Sequence, residues 1–145
     1  MYLNLLNQEQ KALFLGVASQ LARADGIVVS EESSVISALQ TELGWDVKAV
    51  TWTQNDLGSL KEVFAEKRAQ VVMLMELYLL ALCDGHLPPE ELEIFDILAK
   101  VFGFSDADCE ATLSWARTIA PHVVQGWRMA LSANPLVSKG PIPDE

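Results

Sequence analysis

Apolar residues recur along the chain at intervals of three and four, which is the spacing of one face of an α-helix. The first such stretch begins at Gln8, where Asn7 and Gln10 can form a capping box, and it runs to about Ala24. Gly26 is expected to end this helix, because glycine takes the left-handed conformation at low cost. The apolar stripe of the helix consists of Leu13, Val17, Leu21 and Ala24.

Four more helices are predicted before residue 83. Ser30 can cap the first of them, which ends at Gly44. The link that follows predicts a short helix over Asp46–Trp52 and another from about 55 to about 67. Residues 68–82 are helical in pattern and apolar nearly all round, so we expect this helix at the centre of the domain. The inner face of the helix that Ser30 begins consists of Val35, Ile36, Leu39 and Leu43.

The remaining helices are marked by proline, serine and glycine. Pro88 and Pro89 predict a helix start, since proline fits the first turn, and Gly103 predicts its end. Ser105 and Asp108 form a second candidate capping box. The inward positions of the helix between Pro89 and Gly103 are predicted to be Leu92, Phe95, Leu98, Ala99 and Phe102.

The helix after Ser105 is predicted to run to about Ile119, and Pro121 to open a last helix through about Ala133. Residues 135–145 contain proline and glycine and are expected to form an extended tail. No stretch of the sequence carries a strong strand pattern.

One acidic motif occurs twice. It reads Asp25-Gly26 with Glu31-Glu32, and then Asp84-Gly85 with Glu90-Glu91. The offset is 84 − 25 = 59 residues, and it also relates Leu39 to Leu98, Gly44 to Gly103 and Trp45 to Phe104. Such self-similarity predicts a duplicated helix–loop–helix unit. We therefore expect an all-α, compact bundle of about seven helices in one domain, residues 1–134, with pseudo-twofold-related repeats at about 8–45 and 67–104.

The acids permit two interpretations. They resemble the second half of an EF-hand loop, but the first-half ligand positions hold Leu21 and Arg23, and then Leu80 and Leu82, so an independent EF-hand is excluded. In one interpretation the acids only stabilise helix starts. In the other the two loops converge and hold a divalent cation, because like charges held together need a cation or hydrogen-bond donors. The candidate ligands are Asp25, Glu32, Asp84 and Glu91, with Glu31 and Glu90 as less certain members.

The composition of the chain limits the classes of binding partner that are expected. The net charge is −10, from 20 acidic and 10 basic residues, which disfavours nucleic acid and anionic membrane surfaces. Cys83 and Cys109 lie in apolar helical patterns, so neither zinc nor a disulfide framework is expected. There is no basic leader pattern and no apolar run long enough to span a membrane, so the cytoplasm is the expected compartment.

Other residues could carry chemistry. Glu76 interrupts the apolar helix and must pair, protonate or face a cavity, and pairing with an arginine is the favoured interpretation. His86 lies in the second acidic loop and is expected to be exposed, and His122 is expected in the first turn of the last helix. No nucleophile, phosphate-binding or zinc-protease motif is present, so we expect no enzyme. The four tryptophans, Trp45, Trp52, Trp115 and Trp127, are expected in the core.

Two segments carry a resemblance to a known family. The segments "ARADGIVVSEESSVISAL" and "ALCDGHLPPEELEIFDILAKVFGF" resemble the TerB-like family of bacterial tellurite-resistance-associated proteins. The resemblance spans about Asn7 to Trp115 and departs from the family pattern at His86 and at Pro88-Pro89. It implies an all-helical domain of two interlocked repeats, acids proposed to bind divalent metal, and a stress-response interaction module.

The sequence and the resemblance together favour a non-enzymatic module that binds a divalent cation (Ca²⁺, Mg²⁺, Mn²⁺ or Zn²⁺) weakly. We expect a protein partner, and a homodimer is compatible with the sequence. One alternative is a protein-interaction module whose loop acids only cap helices. The other is a hydrolase that uses the same carboxylates with a metal.

Overall fold

The computed structural model of the chain describes residues 2–23, 37, 39–82 and 87–131, except for the side chains of Val124, Trp127 and Leu131. A 3-10 turn at Leu3–Leu5 precedes the first helix, and residues 39–43 are helical. Over the described ranges there is no β-strand, so the all-α prediction is confirmed there. The helices are α1 (Gln8–Ala22), α2 (Leu57–Val63), α3 (Lys67–Ala81), α4 (Pro89–Phe102) and α5 (Asp106–Leu131).

The predicted capping boxes are both present. At the start of α1, the Asn7 side chain accepts from the Gln10 backbone N–H at 2.8 Å, and Gln10 Oε1 accepts from the Asn7 N–H at 2.9 Å. Ser105 and Asp108 make the same reciprocal pair at 3.0 and 3.1 Å before α5. Each box satisfies two N–H groups that a helix start leaves without intrahelical partners.

Glycines end helices at two of the predicted places. Gly44 has φ +105° and follows the helical residues 39–43, and Gly103 has φ +75° after α4. Gln40 Nε2 donates to the carbonyls of Gly44 and Val47 at 2.9 and 3.0 Å, which holds the turn after the first of these glycines. Gly26, predicted to end a helix as well, lies outside the described residues, as does the Ser30 cap.

Helix α3 is central, as its pattern predicts. It packs against α1, α4, α5 and the 3-10 turn, while α2 packs against α1 and α4. Its buried residues occupy almost its whole circumference: Ala69, Val72, Met73, Leu74, Glu76, Leu77, Tyr78, Leu79, Leu80 and Ala81.

The predicted inner face of α4 is partly wrong. Leu92 is 41% exposed and Ala99 is only partly buried, whereas Glu91 and Ile94 are buried. The buried residues are spaced at intervals of three and four, as on one face of a helix. Because Glu91 and Ile94 belong to this buried face, Leu92 lies on the side of the helix that faces solvent. The prediction for Phe95, Leu98 and Phe102 is confirmed.

The link that follows Gly44 does not contain the predicted helix over Asp46–Trp52. It crosses α1 instead: the Val50 N–H donates to the Ala12 carbonyl at 3.1 Å, and the Val50 carbonyl lies against Gly16. Trp52 is buried and its indole Nε1 donates to the Asp56 carbonyl at 2.9 Å. This long-range anchoring overrides the local helical pattern. The next predicted helix is also shorter than expected, since α2 ends at Val63.

Helix α5 is continuous through Pro121, so the predicted break after Ile119 is wrong. Pro121 is exposed, and buried or partly buried residues continue on both sides of it at helical spacing: Leu113, Ala116, Ala120 and Val123. Packing of this stripe offsets the hydrogen bond that an interior proline removes. It also places His122, which is exposed, inside a helix and not in a first turn.

Replacing Gly16 with alanine should destabilise the protein, because the new Cβ would lie 1.9 Å from the Val50 carbonyl oxygen. The link or the helix would have to move, at a cost of about 1–3 kcal/mol. Urea unfolding measures the change. Gly58→Ala in α2 is the matched control: its Cβ would meet nothing within 4 Å, so its free energy of unfolding should stay equal or rise by about 0.5–1 kcal/mol. Equal stability of Gly16→Ala and the wild type would contradict the close crossing.

Candidate functional site

The structure describes part of the predicted acidic site. Glu90 and Glu91 occupy the first turn of α4. The other candidate ligands lie outside the described residues: Asp25, Glu31, Glu32 and Asp84. The segments that hold them follow the ends of α1 and α3, which pack against each other, and both helices also contact α4.

Pro88 and Pro89 position the two glutamates. Pro88 is extended, with ψ 155°, and its carbonyl accepts from the Glu91 and Leu92 N–H groups at 3.0 and 3.2 Å. Pro89 then supplies the first helical residue, where its missing N–H costs no hydrogen bond. This start orients the side chains of Glu90 and Glu91 differently.

Glu91 is the inward-facing acid of the pair. It is only 3% exposed and interacts with another group of the protein, whereas Glu90 is exposed. A carboxylate in the first turn of a helix is favoured by the partial positive charge of the helix N-terminus. Chemically, such a buried carboxylate can accept hydrogen bonds or contribute one oxygen ligand to a hard cation. The sequence motif predicted an acid at this position, but it did not predict that the Glu91 side chain would be buried.

Glu76 is a second buried carboxylate. It is 2% exposed, and its Oε2 accepts a hydrogen bond from the Tyr2 backbone N–H at 2.8 Å. Tyr2 lies 74 residues away along the chain, and no sequence pattern indicated it as a partner in place of the expected arginine. Nearby, the Tyr2 ring lies 6.3 Å from the Trp115 ring, centroid to centroid, so the 3-10 turn is held between α3 and α5.

Tyr78 and Cys109 form a third titratable pair, where α3, α4 and α5 meet. The Tyr78 ring stacks on Phe95 at 4.1 Å between centroids and its hydroxyl is hydrogen-bonded with the Cys109 thiol. Burial, assisted by Cys109, raises the pKa of Tyr78 to about 12. Burial and the nearby carboxylates of Asp106 and Asp108 raise the pKa of Cys109 as well. Since the thiolate is the reactive form, Cys109 is a poor nucleophile at neutral pH.

Among the residues that the structure describes, no three or more His, Cys, Asp or Glu side chains are grouped so that they could hold a metal ion. In the same part of the chain, no helix is long and apolar enough to cross a membrane.

Trp52 is in the core and Trp115 is partly buried, as expected. Trp45 is 67% exposed, so its predicted place in the core is wrong: it follows the left-handed Gly44 in a turn that directs it outward.

Comparison of the chain with protein-family models, with curated proteins and with solved structures found no match.

The phenol of Tyr78 should ionise at a pH of about 12 instead of the ordinary 10.0. Absorbance at 295 nm after rapid pH jumps measures this in a Tyr2→Phe variant, where Tyr78 is the remaining tyrosine. Because the folded state disfavours ionisation, the associated stability is present below pH 10 and is lost as the pH rises from about 10 to about 12. A midpoint near 10 in the folded protein would show that Tyr78 is not buried as described.

Proposed function

We propose that the chain is a non-enzymatic helical module of the TerB-like kind, made of two helix–loop–helix repeats, that binds a divalent cation weakly and docks a protein partner. The proposed ligands are Asp25 and Glu32 of the first repeat and Asp84 and Glu91 of the second. The stress-response and tellurite-resistance role is the part of this proposal that comes from the family resemblance.

The observation that carries the proposal is the match between α1 and α3. Both helices have 15 residues, and their ends differ by the offset of the acidic motif, 67 − 8 = 59 and 81 − 22 = 59. The offset was read from the acidic motif and a few residues in the second helix of each repeat, so agreement at both ends of another pair of helices supports a duplication. In each repeat an acidic segment follows directly.

The pattern of buried residues in these two helices also repeats with the 59-residue offset. Pairs of corresponding residues are buried in both: Leu13 and Val72, Phe14 and Met73, Leu15 and Leu74, Leu21 and Leu80. The second helices agree where they are described, since Leu39 and Leu98 are both buried. Their terminal glycines, Gly44 and Gly103, both have positive φ. These correspondences support a pseudo-twofold relation between the repeats.

The burial of Glu91 supports a ligand role for this position. By the offset, Glu32 corresponds to it in the first repeat, so we propose that both residues face inward. Four carboxylates of this kind would form an oxygen-rich site suited to Ca²⁺, Mg²⁺ or Mn²⁺, with Zn²⁺ as the fourth metal to test. The raised pKa of Cys109 is consistent with a module that lacks a thiol nucleophile.

The second candidate is an interaction module whose acids only stabilise helices. The place of Glu91 in the first turn of α4 favours it, because charge there stabilises the helix without any metal. The two candidates differ in what happens when a cation is added. Only the first predicts that the stability of the protein depends on metal concentration.

Calorimetric titration with Ca²⁺, Mg²⁺, Mn²⁺ and Zn²⁺, together with melting curves, tests the proposal. At least one metal should release heat and raise the melting temperature at millimolar concentration, with saturation typical of a weak site. Glu91→Gln should remove most of this response. Glu90→Gln, the exposed neighbour in the same turn, is the matched control and should retain it.

Absence of heat and of any shift in melting temperature for all four metals would exclude the cation site and leave the second candidate. In that case Asp25→Asn and Asp84→Asn should lower the melting temperature equally with and without metal. Metal-dependent turnover of a phosphoester, lost in Glu91→Gln, would contradict the non-enzymatic assignment.

A further inference from the structure

Trp45 is the most exposed large apolar side chain over the described ranges, at 67%. It lies in the turn after Gly44, and several hydrogen bonds hold this turn. Gln40 Nε2 donates to two of its carbonyls, and the Val47 N–H donates to the Gly44 carbonyl at 3.2 Å. Tryptophan is enriched among the residues that dominate binding energy in protein interfaces. An indole presented at the surface by a fixed turn is therefore a candidate contact point.

Phe104, which the 59-residue offset relates to Trp45, follows a helix end of similar construction. In both places a glycine with positive φ, Gly44 or Gly103, donates its N–H to the carbonyl four residues before it. The backbone differs only after the glycine. The Phe104 N–H also returns to the Ala99 carbonyl, at 2.9 Å, whereas Trp45 is directed outward by the turn described above. Two aromatic rings thus leave comparable helix ends, one covered and one exposed.

A lysine covers the ring of Phe104. Lys67 Nζ lies 4.3 Å from the ring centroid and also donates to the Phe102 carbonyl at 3.2 Å, at the C-terminal end of α4. The face of an aromatic ring and the partial negative charge of a helix end both favour a cation there. The offset relates Lys67 to Gln8, since 67 − 59 = 8, and glutamine carries no charge. The chain thus supplies a cation for Phe104 but no corresponding one for Trp45.

The charges next to Trp45 favour a cationic partner. Asp46 is adjacent and exposed, and the exposed Glu42 precedes it by one helical turn, although Glu42 also interacts within the protein. Lys48 is the one basic residue between positions 40 and 60, and the whole chain has a net charge of −10. Tryptophan attracts a lysine or arginine more strongly than the other aromatic residues do, and acidic neighbours increase the attraction.

Other occupants suit this surface less well. A second copy of the chain carries the same net charge of −10 and would bring its own Asp46 close to that of the first. Nucleic acid and anionic membrane surfaces are disfavoured by the same negative charge. The charge complementarity that guides association therefore favours a basic protein segment.

We propose that Trp45 is the docking point for an arginine or lysine side chain in a basic segment of a partner protein. The cation lies over the indole face, as the Lys67 ammonium lies over Phe104, and Asp46 adds electrostatic attraction. This inference rests on the partner-docking part of the proposed function and does not require the divalent-cation site.

An NMR titration of the full, isotope-labelled chain with a short peptide of alternating arginine and glycine, in the presence of EDTA, tests this docking point. The indole Nε1–H signal of Trp45 should shift with added peptide. The indole of Trp52 is the internal control and should not shift, because it is buried and bonded to the Asp56 carbonyl. The same peptide with citrulline in place of arginine keeps the side-chain shape without the charge and should bind at least about fivefold more weakly.

Three variants separate a cation contact from simple apolar contact, with affinity measured from the backbone amides of Gly44 and residue 46. Trp45→Leu keeps an apolar side chain but removes the ring face, and should weaken arginine-peptide binding about two- to fivefold. Asp46→Asn should also weaken binding and reduce its dependence on salt. Leu5→Ala, which changes an exposed apolar residue elsewhere, is the matched control and should leave the affinity unchanged.

Equal affinity for the arginine and citrulline peptides, or full affinity in Trp45→Leu, would overturn the cation contact. Peptide-induced shifts centred on Glu90 and Glu91 in place of Trp45 would assign the binding to the acidic motif and would also overturn it. A Trp45 indole signal that shifts with protein concentration in the absence of peptide would give the surface to a second copy. Normal peptide binding by a chain that shows no calorimetric response to metals would support this docking point while excluding the cation site.

Discussion

The need to cover α3 on all sides governs this structure. Its apolar residues extend around nearly the whole helix, and a helix of that kind is stable in water only when neighbours surround it. Helices α1, α4 and α5 and the 3-10 turn supply that cover, while α2 packs outside them on α1 and α4. These covering elements come from separate parts of the chain. The arrangement of the bundle is therefore determined by the one central helix more than by any single pair of neighbouring helices.

What could be predicted from the sequence was mostly local. The Asn7–Gln10 box and the left-handed Gly103 depend on residues within one turn, and both are present. The link over residues 46–52 was mispredicted because its conformation is fixed by Ala12 and Gly16 of α1. The continuity of α5 through Pro121 has a similar cause, since packing on α3 outweighs a local break signal.

For the candidate site, the sequence identified acids but not their surroundings. The motif favoured Glu91 over Glu90 as a ligand, but it did not predict that Glu91 would be buried and Glu90 exposed. Glu76 and Tyr2 are 74 residues apart in the sequence, and the hydrogen bond between them produces no periodic sequence pattern from which it could be predicted. Two positions that the 59-residue offset relates also differ in their surroundings: Trp45 is exposed, while Phe104 packs against Phe102 and the ammonium group of Lys67.

The crossing of the link over α1 also bears on how the protein folds. The hydrogen bond between Val50 and Ala12 closes a chain loop of 50 − 12 = 38 residues, which begins within α1. Closing such a loop costs conformational entropy that grows slowly with its length, and α1 must already be helical to present Gly16 to the link. We therefore expect the link to dock on α1 late in folding, after that helix has formed. By contrast, only a short turn joins α2 to α3, because α2 ends at Val63 and α3 begins at Lys67.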